Sequence, residues 1–119
     1  VEVARRDTLT KETHPLEYID IYVEELLQTI QKDIYNKALS YRESHITKVD
    51  SYDEFKKVLE EKGGFISAHW DGTPEEEEQI KNETKATIRC IPLNNPLEDG
   101  VSLISGKASK QRVIFAKSY

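Results

Sequence analysis

Apolar residues set the first divisions along the chain. From Leu16 they recur at Ile19, Val23, Leu26, Leu27, Ile30, Ile34, Ala38 and Tyr41, at spacings of three and four. That period predicts one long helix, starting near Thr13 and His14 with Pro15 at its first position and running to about Ser44. Its length would be roughly 45 Å at 1.5 Å per residue. A coiled-coil seam fits less well, because Gln31, Asp33 and Asn36 interrupt the flanking charge pairs. Before it, Val1 to Arg6 alternates weakly and reads as a strand end, followed by a polar turn through Thr10.

After the long helix the period changes. Ser51-Tyr52-Asp53-Glu54 is a capping box, and it predicts a second helix with Phe55, Val58 and Leu59 inward, stopped by Gly63-Gly64. Phe65 to Trp70 reads as a strand. Thr73-Pro74-Glu75-Glu76 repeats the helix-start chemistry, with acids on the positive end of the dipole. The third helix has little apolar face beyond Ile80 and should lie on the surface. Ala86 to Ile91 is a strand closed by Pro92, and residues 93–100 form a loop. Residues 101–110 suggest a hairpin around Gly106, and Arg112 to Tyr119 a last strand alternating at Val113 and Phe115. Helices and strands interleave, so the downstream part is mixed α/β.

Composition narrows the class. The 119 residues are 37% apolar and 33% charged, enough apolar content for a core without disulfides. No apolar run approaches the roughly 20 residues of a bilayer span, no signal-peptide pattern opens the chain, and a lone cysteine favours a reducing, cytoplasmic setting. Methionine is absent and the chain opens Val1-Glu2-Val3, so it reads as a piece of a longer protein.

A net charge of −5 argues against polyanion binding over the whole surface. Its distribution is uneven. Residues 71–78 carry five acids and no base, whereas 101–119 carry Lys107, Lys110, Arg112 and Lys117 and no acid. The basic stretch is either a nucleic-acid face or a strand whose charges are solvated or paired with the acidic segment.

Catalytic constellations are scarce. His14, His45 and His69 stand in no metal-binding spacing. Cys90, inside the apolar run Thr87 to Pro92, reads as a buried structural thiol. Gly106-Lys107 lacks the first glycine of a phosphate loop, and Val101 stands in its place. Asn82-Glu83-Thr84 fits a glycosylation sequon but falls mid-helix. Glutamates 75–78 fit a solvated helix start better than acid–base work. These features alone describe an α/β fragment, and a free-standing acidic interaction module recruited through the long helix would fit them.

Several segments carry a resemblance. They are Val3-Ala4-Arg5-Arg6-Asp7-Thr8, Leu26-Leu27 through Tyr41-Arg42, Tyr52 to Lys56 with Gly63-Gly64-Phe65, and Trp70 with Gly72, Glu75 and Glu77. To these add Ile88 to Pro92, Gly106-Lys107-Ala108, Arg112-Val113 and the closing Phe115 to Tyr119. In this order they resemble the C-terminal end of the prolyl-tRNA synthetases of eukaryote- and archaea-like type. The resemblance implies that residues 1–45 are the last strand and long helix of an anticodon-binding domain. Residues 46–119 would be the small mixed-sheet C-terminal domain. It also implies a parent class II ligase that activates proline with ATP and Mg²⁺, joins it to tRNA(Pro) and dimerises through its catalytic domains. That catalytic core would lie upstream, so this piece would brace the catalytic domain of its own chain without performing the reaction. No membrane is implied. Arg5, Arg6 and Lys11 become candidates for tRNA contact, and the Tyr119 carboxylate would approach the active site.

One departure is chemical. Many members of the resembled family hold a structural zinc on four cysteines, one pair about a glycine-led turn and one in a CxxC knuckle. Here those positions are Asp71, Glu76, Ser102 and Ser105. They should lie close together without zinc, since two carboxylates and two hydroxyls make a poor zinc set. His69, two residues from Asp71, should share its face and is the one nitrogen that could join them. With zinc gone, packing of Trp70, Leu103, Ile104 and Phe115 and a capping box at Thr73 and Glu76 would hold the region together.

Overall fold

The computed structural model describes residues 1–117, so the Tyr119 expectation lies outside the described residues. The chain divides into two compact units, Val1–Arg42 and the part from Glu43 onward.

In the first unit, β1 (Glu2–Ala4) pairs antiparallel with β2 (Lys11–Thr13), with Val3 opposite Glu12. The turn expected through Thr10 is therefore the loop of a hairpin, closed by the Arg5 amide donating to the Thr10 carbonyl at 2.8 Å. The long helix consequently starts later than its period suggests. Pro15 has extended geometry and precedes a single 3₁₀ turn, Leu16–Tyr18, before α1 (Ile19–Ser44) begins. Proline disfavours helix at the residue before it, and pairing with β1 satisfies the backbone that a longer helix would have used. The His14 ring stacks on Tyr22, with centroids 3.6 Å apart. No residue of α1 is fully buried.

The second unit is a four-stranded sheet in the order β3 (Ile46–Lys48), β4 (Phe65–His69), β8 (Arg112–Lys117), β5 (Ala86–Cys90). β3 and β4 are parallel, joined through α2 (Tyr52–Glu61), and β8 runs antiparallel to both neighbours. β6 (Gly100–Val101) and β7 (Ala108–Ser109) form the small hairpin expected around Gly106. One core row crosses the sheet as Ile66, Phe115 and Ile88, and the next pairs Ala68 with Val113. Phe55 of α2 and Ile80 of α3 (Pro74–Thr84) cover these rows, and Phe55 meets Phe115 edge-on at 5.3 Å. Trp70, Leu103 and Ile104 pack half-buried around them. This mixed α/β architecture agrees with the sequence pattern.

Local chemistry explains the ends of these elements. Ser51 Oγ accepts from the Glu54 amide at 3.3 Å, while the Glu54 carboxyl reaches past Ser51 to the Asp50 amide at 3.4 Å. β3 was not expected, being a three-residue strand directly after a helix with no alternation to signal it. The β3–β4 ladder continues where the Phe65 amide donates to the His45 carbonyl at 2.9 Å. Gly64, at φ +81°, lets the chain pass that carbonyl, which a Cβ would meet at 2.8 Å.

Cys90 corrects its expectation: it is exposed. Strict alternation from Ala86 and Ile88 would turn it inward, but the register with β8 slips between Ile88 and Cys90 and rotates it out. The third helix also departs from a purely surface role, because it buries Glu76 along with Ile80.

Candidate functional site

The structure brings Asp71, Glu76, Ser102 and Ser105 together. Glu76 is 4% exposed, and its Oε1 accepts from the Ser102 hydroxyl in a short bond, from the Ile104 amide at 2.9 Å and from the Ser105 amide at 3.3 Å. Oε2 accepts from the Asp71 amide at 3.0 Å. Asp71 Oδ1 accepts from both the amide and the hydroxyl of Thr73, and Oδ2 faces the Lys107 ammonium at 3.4 Å. Desolvation pushes the Asp71 carboxyl up. The Thr73 bonds, helped by Glu76 and Ser105, outweigh it and hold Asp71 well below the usual carboxylate range.

The anticipated Thr73–Glu76 capping box is therefore only half formed. Thr73 Oγ1 accepts from the Glu76 amide at 3.4 Å, but the Glu76 carboxyl does not return to the Thr73 amide. Asp71 already holds that amide, which leaves Glu76 free to reach the hairpin. His69 does not join the cluster. Its Nδ1 lies 3.1 Å from Ser109 Oγ, which itself donates to the Gln111 carbonyl, and its ring packs against Gly100. β4 ends at His69, so strand alternation does not carry on to Asp71. A Cβ on Gly100 would come within 2.2 Å of His69 Nε2, so only glycine fits there.

Sequence reasoning treated Arg112 as part of a charged strand face. The structure instead buries it to 7% exposure at the start of β8. Nη1 donates to the carbonyls of Val49 and Ser67 at 2.9 and 3.3 Å. Nη2 donates to Asp50 Oδ1 at 2.5 Å and Glu98 Oε1 at 2.9 Å. The only advance signal was an arginine opening an apolar strand. Its bond, with smaller help from Lys48, lowers the Glu98 carboxyl from its ordinary 4.5 to about 2. A depressed carboxyl contributes stability above its unfolded value and loses it as pH falls toward the folded one. The melting temperature of the full chain should therefore hold from pH 8 to 5 and fall between about 4.5 and 2. In Glu98→Gln that fall should be shallower, and an unchanged pH profile would remove Glu98 from the account.

The three tRNA candidates differ sharply. Arg5 is committed internally: it donates to Asp7 at 3.1 and 2.7 Å and to Asp33 at 2.9 Å. Lys11 pairs with Glu2 at 3.0 Å, both side chains well exposed. Arg6 is exposed and makes no hydrogen bond or ion pair among the described residues.

No helix among the described residues is long and apolar enough to cross a membrane. The family described as "Prolyl-tRNA synthetase, C-terminal" matches residues 52–119. The chain is 63% identical over 118 residues to the proline–tRNA ligase of Flavobacterium psychrophilum, covering 99% of this chain and 24% of that protein. It is 60% identical over 119 residues to the proline–tRNA ligase of Porphyromonas gingivalis, covering 100% of this chain and 24% of that protein. The Bacteroides fragilis proline–tRNA ligase is 59% identical over 123 residues, again with 100% and 24% covered. The chain thus spans about a quarter of the length of these curated relatives. With the fold, the segment order and more than half of its residues accounted for in this way, the chain belongs to the prolyl-tRNA synthetase C-terminal family.

Proposed function

We propose that the chain is the C-terminal part of a cytoplasmic, ATP- and Mg²⁺-dependent proline–tRNA ligase. The parent activates proline and joins it to tRNA(Pro), acting as a homodimer. Identity near 60% along the whole chain to proteins named as that ligase carries this reading. Those relatives hold the region within proteins about four times longer, which favours a part of an enzyme over a free-standing interaction module. Residues 1–45 complete the anticodon-binding domain and 46–119 form the C-terminal domain. The polar clusters of the second unit serve its own fold, in keeping with a structural role, and that role is to brace the catalytic domain of the same chain. Asp71, Glu76 and Arg112 are all tied into the fold itself.

For tRNA, the geometry ranks the three cations. Arg6 is available to a phosphate, Lys11 would have to exchange Glu2 for one, and Arg5 serves to position the hairpin through Asp7 and Asp33. In the full-length enzyme, Arg6→Ala should raise the KM for tRNA several-fold and reduce the salt slope of binding by about 1. Proline-dependent ATP–pyrophosphate exchange should stay at the parental rate. Charging kinetics that match the parent enzyme would assign Arg6 no part in tRNA binding.

A further inference from the structure

We propose that the Glu76 carboxyl is itself the cross-link that a structural metal would otherwise supply, so that this domain is held together without an ion. The cluster joins two stretches distant in sequence: the 71–73 turn with the first turn of α3 that follows it, and the 102–107 loop. Its polarity is the reverse of a cation cage. Three backbone amides and a hydroxyl converge on the two Glu76 oxygens, and each presents hydrogen, not a lone pair, to the centre. A zinc ion placed there would face N–H groups aimed at the same oxygens and would have to displace them.

Asp71 offers no second ligand. The Thr73 amide and hydroxyl occupy Oδ1, and the Lys107 ammonium approaches Oδ2. Neither serine provides a thiolate, and Ser102 is already donating its proton to Glu76. Nor is a His69 nitrogen bonded into the cluster: Nδ1 is engaged by Ser109, and Nε2, buried without a hydrogen-bond partner, lies against Gly100. The donor set therefore does not fit zinc. Position favours the alternative: Glu76 is the third residue of α3, where the helix dipole stabilises a negative group, and Asp71 relieves it of its usual capping duty. Two loops that a metal would clamp are clamped by one acceptor and four donors.

This inference goes beyond the ligase reading and stands or falls without it, because metal content and melting do not report aminoacylation. The test uses the full chain purified without chelator, analysed for zinc and melted alone, in EDTA and with equimolar Zn²⁺. Expected are no stoichiometric zinc and a melting temperature that neither EDTA nor Zn²⁺ moves. Glu76→Ala should lower that temperature by roughly 10 °C, and Ser102→Ala, which removes a single donor, by about 4 °C. Ser102→Ala keeps the proposal testable if Glu76→Ala does not fold. Bound zinc at one equivalent, a marked fall in EDTA, or a Ser102→Ala protein that melts with the parent would each overturn it.

Discussion

Replacing Phe115 with alanine should cost the second unit about 3–5 kcal/mol, the largest loss expected from any single core truncation here. The ring is fully buried on β8, an inner strand of its sheet, between Ile66 on one side and Ile88 on the other, with Phe55 edge-on to it. Removing it deletes the centre of the Ile66–Phe115–Ile88 row and the aromatic pair at once. β8 is hydrogen-bonded on both sides, so its backbone cannot close the gap easily. Domains of this size are stable by roughly 5–15 kcal/mol, so the variant should melt far below the parent or not fold at 37 °C. Phe115→Leu should recover much of the loss. Thermal melts of the three proteins decide it, and a Phe115→Ala chain within about 1 kcal/mol of the parent would refute this view of the core.

The second large effect concerns Arg112. Replacing it with methionine keeps most of the stem but strips the Val49 carbonyl of its arginine donor, while the Ser67 carbonyl keeps the Val49 amide at 3.1 Å. One unsatisfied buried carbonyl costs about 1–3 kcal/mol, and a loss of roughly that size is expected. Asp50 and Glu98 add little to that sum, because both are partly exposed and water can replace the arginine. Arg112→Lys should fall in between, since an ammonium cannot span two carbonyls and two carboxylates as the planar fork does. Urea melts compare the three. Equal stability of the methionine and parent chains would show that the Val49 carbonyl finds water instead.

What the sequence made legible were elements with local signals. Ser51 to Glu54 announced α2, Gly106 announced the hairpin, and Val113 and Phe115 announced β8. The missed parts depend on partners distant in the chain. β3 is three residues long and exists because β4 lies beside it. The second strand of the first hairpin was hidden because Lys11 to Thr13 are polar and exposed and show no apolar alternation. Cys90 turned outward through a register slip, which no alternation count can foresee.

The candidate site divides the same way. Resemblance brought Asp71, Glu76, Ser102 and Ser105 to one point, but not the direction of the hydrogen bonds between them. Glu76 read as half of a local capping box because its own neighbours suggest nothing else. Its actual partners, Ser102, Ile104 and Ser105, lie 26 to 29 residues away. Arg112 looked like one of several surface cations, and only the placement of Val49, Ser67 and Glu98 around it reveals an anchor. The tRNA candidates stand level in the sequence, and the structure separates two neighbours: Asp33 on α1 holds Arg5, while Arg6 beside it is exposed.

The central claim is that this chain is the non-catalytic end of a proline–tRNA ligase. Proline-dependent ATP–pyrophosphate exchange tests it most directly, measured on the full-length protein that carries this chain and on the 119-residue chain alone. The account predicts exchange from the full-length protein with proline and none from the isolated chain. A full-length protein that exchanges with no amino acid, or an isolated chain that exchanges on its own, would contradict it.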